Sequence, residues 1–151
     1  MPGMDDAPIS WHGPDADHPA RNAARRSYTL VAAGDLDAWL RLYADDAVIE
    51  DPVGSSMFDP EGKGHRGTDG IRAFWETAIA PVDRFHFTVH DSHANGATCA
   101  NVATITTWFG DGTRVDTDLV TVHEVGEDGR IVHMRAYWEP ERAMATARQE
   151  P

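Results

Sequence analysis

Read along the chain, hydrophobic and polar positions change period once, near the middle, and that change divides the sequence into helices followed by strands. Residues 18–33 carry Ala20, Ala23, Ala24, Ser27, Leu30 and Val31 at helical spacing, and Gly34 supplies a stop. Leu36, Trp39, Leu40 and Tyr43 fall at i, i+3, i+4 and i+7, which predicts a second helix closed by Asp45 and Asp46. A third is expected over residues 67–80, with Ile71, Phe74, Trp75, Ala78 and Ile79 on its buried face and Pro81 behind it. From residue 84 the period becomes two. Strands are expected over 84–90, 98–109, 113–125 and 130–138, separated by Ala94-Asn95-Gly96, Gly110-Asp111-Gly112 and Gly126-Glu127-Asp128-Gly129. Helices first and antiparallel strands afterwards indicate an α+β domain with one curved sheet. Residues 1–17, rich in Pro, Gly and Asp, read as a flexible leader, and residues 139–151 as a short helical or frayed tail.

One strand stands apart. Residues 44–51 place Ala47, Ile49 and Asp51 on one face and Val48 and Glu50 on the other, with Pro52 ending the pairing. Asp51 thus closes an apolar inward row, where partial desolvation raises a carboxylate toward the range useful to a general base. Glu50 is expected to be solvated. The loop that follows, residues 55–66, holds Met57 and Phe58 among polar residues. Two readings stay open for them, a lid over a pocket and an anchor against the core.

Composition narrows the partners. A length of 151 residues fits one domain with a sizeable core. The net charge of −12 repels nucleic acid and anionic membranes and favours a neutral or apolar small molecule. The single cysteine, Cys99, rules out an internal disulfide. None of the eight histidines has the spacing of a zinc motif, so no metal or other cofactor is expected. No apolar run approaches membrane-spanning length and no signal-peptide core is visible, which gives a cytoplasmic location by default. Val120 and Val122 lie on the face of their strand opposite Leu119 and Thr121, so both faces are expected to be covered, the outer one by a second copy in a homodimer.

The blocks Gly34-Asp35-Leu36-Asp37, Tyr43-Ala44-Asp45-Asp46-Ala47 and Glu50-Asp51-Pro52-Val53-Gly54-Ser55 resemble bacterial ketosteroid isomerases in order and spacing. Glu127-Asp128-Gly129-Arg130-Ile131 and Met134-Arg135-Ala136-Tyr137-Trp138 extend the resemblance, which runs from Arg26 to Trp138 with a longer loop at 55–66. It implies the cone-shaped α+β fold of the wider nuclear-transport-factor-two-like and SnoaL-like superfamily, with three N-terminal helices packed on a curved antiparallel sheet. It also implies that Asp51 shuttles a proton in a Δ5-3-ketosteroid or similar cyclic enone. The family's oxyanion-holding tyrosine falls on Ser27, with Tyr28 one residue later and rotated by about 100° on a helix. The family's acidic donor falls on Thr121. His123, two residues on, shares the inward face. Tyr28, Thr121 and His123 are therefore candidates to share the donor role. Met57, Phe58, Leu119, Met134 and Trp138 are candidate walls for a flat polycyclic ligand, and Trp75 falls where the family places a pocket tyrosine, core packing being the other reading. Two other functions stay open on this fold: a SnoaL-like polyketide cyclase or other Asp-based enzyme, and a non-catalytic binder of hydrophobic molecules.

Overall fold

The computed structural model describes residues 7–150. The chain runs β1 (Ile9–Trp11), α1 (Pro19–Ala33), α2 (Leu36–Arg41), β2 (Tyr43–Glu50), β3 (His65–Arg66), α3 (Gly67–Phe74), β4 (Arg84–Asn95), β5 (Thr98–Trp108), β6 (Thr113–Val125), β7 (Ile131–Tyr137), α4 (Pro140–Met144) and β8 (Arg148–Gln149). The sheet order is β1-β4-β5-β6-β7-β2-β3, and β8 pairs with β6. Helices α1–α3 pack on the sheet and bury Ala20, Ala24, Trp39 and Ile71 in one core with Ile49, Val89 and Ile131.

The caps follow from local chemistry. His18 Nδ1 accepts from the Ala20 amide at 3.1 Å to start α1. Gly34, at φ 70°, ends it in the left-handed region that a side chain would disfavour. Asp35 Oδ1 accepts from the Ala38 amide at 3.1 Å and starts α2 at once. After Phe74, α3 widens into a π turn over Trp75–Ile79, with the Ala80 amide bonded to the Trp75 carbonyl at 2.8 Å.

Several expectations need correction. Of the expected N-terminal helices only α1 is long, at 15 residues; α2 and α3 are short, at 6 and 8 residues, and the tail adds the short helix α4. The sheet is mixed: β4–β7 are antiparallel, but β1 runs parallel to β4 and β2 runs parallel to β7. The partners β2 and β7 are separated in sequence by a helix and four strands, ample for the crossover that a parallel pair requires. Residues 9–11 of the expected flexible leader form β1, and the Trp11 ring lies 4.6 Å beneath the Arg25 guanidinium while its Nε1–H donates to Pro14 O. The part of that leader at 1–6 lies outside the described residues. The tail is docked, with β8 paired to Thr113 and Arg114. Asp45 and Asp46 lie within β2 rather than ending α2, and Tyr43 opens that strand. The 3.6-residue stripe reached Tyr43 because the first inward position of a strand can coincide with the next helical one. β4 runs on to Asn95 through a bulge at His90, beyond its expected end. Glu50 is not simply solvated: His133 Nε2–H donates to it at 2.6 Å, and Arg135 Nη2 donates to His133 Nδ1 at 3.0 Å. Parallel pairing of β2 with β7 sets these three side chains on one outer face.

Among the described residues no helix is long and apolar enough to cross a membrane.

Candidate functional site

β2 ends at Glu50, and Asp51 turns into an apolar cavity of about 390 Å³, within the range of small-molecule sites. Asp51 is half-buried and lines this cavity. Trp138 Nε1–H donates to Asp51 Oδ1 at 2.6 Å. Burial pushes the carboxyl up to about 6, and the indole bond, which favours the ionised form, offsets part of that. Oδ1 is occupied, so Oδ2 is left to take a proton.

The cavity walls come from every layer. Phe74 and Ile79 line it from α3 and the π turn, Phe85 from β4, Ile105 from β5 and Val115 from β6. Phe58 packs between Phe74 and Trp138, with both ring centroids 6.4 Å away. The loop carrying Phe58 is tied internally. Ser56 and Asp59 exchange backbone bonds at 3.0 and 3.1 Å, and Asp59 Oδ2 accepts from the Gly64 amide at 2.7 Å. That amide, first among several backbone donors, holds the Asp59 carboxyl below its ordinary range. Met57 lines the same cavity but is 54% exposed at its rim. The two residues thus differ: Phe58 is packed as an anchor that also forms wall, and Met57 is exposed beside the same cavity.

The remaining expected wall residues lie elsewhere. Trp75 packs 5.0 Å from Trp39 in the core and does not line the cavity. Leu119 and Met134 are buried core residues that also lie off the lining. Along β6 the inward row changes from cavity wall at Val115 and Thr117 to solid core from Leu119 onward, because α1 closes over that end.

Beyond the cavity lies a buried polar network. The Tyr28 hydroxyl is 2.5 Å from Thr121 Oγ1, and Asn101 Nδ2 donates to Tyr28 Oη at 2.9 Å. The one-residue offset from Ser27 does not keep Tyr28 away from Thr121. Both Ser27 and Tyr28 face inward, and Ser27 Oγ accepts from Trp39 Nε1 at 3.0 Å. The Tyr28–Thr121 pair owns two hydroxyl protons, of which their mutual bond uses one. Burial, offset in part by these bonds, pushes the Tyr28 phenol up to about 12, so it is protonated at neutral pH. The Asp51 charge adds to that rise, and it also reaches the buried Tyr43. His123 sits at the edge of the Tyr28 ring, centroids 5.9 Å apart, with both ring nitrogens unpaired. Burial lowers it to about 4, and the ring is neutral at neutral pH. None of Tyr28, Thr121 and His123 lines the cavity.

Sequence reasoning missed Asn101 and Tyr43. The only available signal for Asn101 was an amide in the otherwise small or apolar row Cys99, Ala103 and Ile105. Tyr43 was hidden by its assignment to a helix. Among the described residues no three His, Cys, Asp or Glu side chains gather as a metal site.

The fold and a half-buried carboxylate at the end of an apolar cavity define a class, and comparison with known proteins gives the family. The SnoaL-like domain matches residues 24–134, and the chain belongs to that family, within the nuclear-transport-factor-two-like superfamily. A relative named steroid Δ-isomerase, from Nocardioides simplex, is 34% identical over 119 residues, covering 78% of this chain and 88% of its own. The crystal structure of RV0760c from Mycobacterium tuberculosis is similar with a TM-score of 0.80 at 31% identity, covering 91% of this chain and all of that one. A second structure of that protein holds estradiol-17β-hemisuccinate. The Δ5-3-ketosteroid isomerase from Mycobacterium sp. matches at TM-score 0.78 and 30% identity, covering 89% of this chain and 100% of that one.

Proposed function

We propose that this chain is an isomerase that shifts a double bond in a Δ5-3-ketosteroid or a similar cyclic enone, with Asp51 as the proton carrier. The observation that carries the reading is the Asp51 carboxyl, raised to about 6 at the end of an apolar cavity. A base of that strength is ionised at neutral pH, yet returns its proton readily. Oδ2 removes a proton from the carbon between the carbonyl and the double bond. The C–H electron pair moves into a dienolate, and the ketone oxygen gains charge. Asp51, now neutral and still bonded to Trp138, delivers the proton to the far carbon of the dienolate, and the conjugated ketone forms. No proton is gained or lost overall. Thr121 and Tyr28 hold the spare hydroxyl proton suited to the oxygen, and a substrate that displaces the cavity's inner wall would reach it. The names of the relatives above support this substrate class.

The position of Tyr28 and Thr121 off the cavity lining favours a second reading, another Asp-based reaction or simple binding of an apolar polycyclic molecule in the same cavity. The functional unit is a homodimer through the outer sheet face, where Val102 is 42% and Tyr137 49% exposed beside Val120 and Val122. Light scattering at micromolar concentration that returned a monomer would remove that part.

The test is turnover of a Δ5-3-ketosteroid, read as absorbance of the conjugated product, in wild type and Asp51→Asn. A loss of about 100- to 10,000-fold in the variant is expected for a missing general base. Steroid binding without turnover in either protein favours the binder, and undiminished turnover in Asp51→Asn ends the mechanism.

A further inference from the structure

β7 pairs with β6 only along Val120–Val125, so the first half of β6 loses that neighbour. The C-terminal segment comes back to this vacated edge. After β7 the chain forms α4, and β8 then pairs antiparallel with Thr113 and Arg114. Two residues at the end of α4 reach the cavity: Ala143, which is buried, and Met144, which is 56% exposed. Met57, also a cavity residue at the rim, belongs to the loop after β2. Flexible thioethers from two separate segments therefore border one opening.

Ion pairs and hydrogen bonds together fasten this segment. Arg148 Nη1 lies 3.0 Å from Asp116 Oδ2, Arg114 Nη1 is 2.8 Å from Glu150 Oε2, and Arg142 Nη2 is 3.2 Å from Asp118 Oδ2. Thr146 Oγ1 accepts from the Asp116 amide at 2.8 Å, and Trp108 Nε1 donates to Glu150 Oε1 at 3.2 Å. Apart from Ala143, the segment has little apolar burial, so modest polar ties near the surface, the ion pairs among them, hold it down.

We infer that residues 139–150 form a strap that closes one side of the cavity and controls ligand exit, with Met144 as its ligand-facing stop and the Asp116–Arg148 pair as its latch. The inference rests on the cavity being the ligand site, but not on the isomerase chemistry. Opening the latch lifts α4 from the cavity without touching Asp51. The strap also restricts ligand length: rings fit between Asp51 and α4, and a bulky extension beyond them meets Met144.

The probe is Nile red, a flat, neutral polycyclic dye that brightens in apolar surroundings, with its release followed by stopped flow. In the wild type, raising NaCl from 0.05 to 1 M screens the ion pairs and should speed release about tenfold. Arg148→Ala should release the dye about two- to fivefold faster at low salt, the worth of one exposed ion pair, and show a smaller salt effect. Met144→Ala should speed release while leaving the salt effect intact. Hydrogen exchange at amides 140–150 should slow when dye is bound, a readout available even if Arg148→Ala folds poorly. Salt-independent release, unchanged exchange at 140–150, or no dye uptake by the folded wild type each overturns the strap. Strap-controlled release without steroid turnover would uphold the strap and remove the isomerase reading; turnover with salt-independent release would do the reverse.

Discussion

Trp138 Nε1 and Asp51 Oδ1 stand 2.6 Å apart, and the indole is the hydrogen-bond donor to this carboxylate from the other side of the β2–β7 pair. A donor to the ionised form lowers a carboxyl pKa, here against the larger effect of burial. Trp138→Phe keeps an aromatic wall and removes the donor. The Asp51 pKa should then rise above about 6, and the acidic limb of the rate profile should move to higher pH with it. An acidic limb that stayed in place would show that the indole bond does not tune the base.

The same burial makes Asp51 a cost to the fold at neutral pH. Its folded pKa of about 6 exceeds the unfolded value near 3.8, so the folded state holds the proton more tightly. The stability Asp51 contributes is therefore full below about pH 4 and lost as pH rises through about 6. Asp51→Asn should be more stable than wild type at pH 8, by roughly 1–3 kcal/mol with the upper end set by two pKa units, and should match it near pH 4. Urea midpoints at the two pH values check this, and equal differences at both would contradict it.

His123 has the opposite sign. Burial lowers its folded pKa to about 4 from 6.5, so the unfolded chain takes up the proton first. The stability it contributes is present above pH 6.5 and is lost as pH falls toward 4, by up to about 3 kcal/mol. His123→Met should flatten the stability loss between pH 7 and pH 5. An unchanged slope would place the acid sensitivity elsewhere.

Met57 and Phe58, adjacent in the chain, should separate in their effects. Phe58→Ser removes a ring held between Phe74 and Trp138 and should lower both melting temperature and Nile red affinity. Met57→Ser, at the exposed rim, should weaken dye binding with the melting temperature nearly unchanged. Matching losses of stability in both would make Met57 an anchor as well.

Much of this architecture is local and was legible in the sequence. The stripe through Ala20, Ala24 and Val31, the left-handed stop at Gly34 and the alternation along β4–β7 depend on near neighbours and backbone sterics, so residues close together in sequence suffice to specify them. Asp51 was legible for the same reason: a carboxylate closing an apolar alternating row before a proline announces itself within eight residues. What required the tertiary structure are pairings between distant segments. The parallel registers of β1 with β4 and of β2 with β7 join residues separated by long stretches of chain, and no local pattern encodes them. They bring His133 and Arg135 to Glu50, and just beyond the paired strands Trp138 meets Asp51. Helix α1 turns Tyr28 toward Thr121 and Asn101, 93 and 73 residues away in the chain. Whether an inward side chain becomes cavity wall or core was likewise decided by packing. Val115 and Leu119 look alike in the alternation of β6, but only the end left open by α1 keeps a cavity for the C-terminal segment to border.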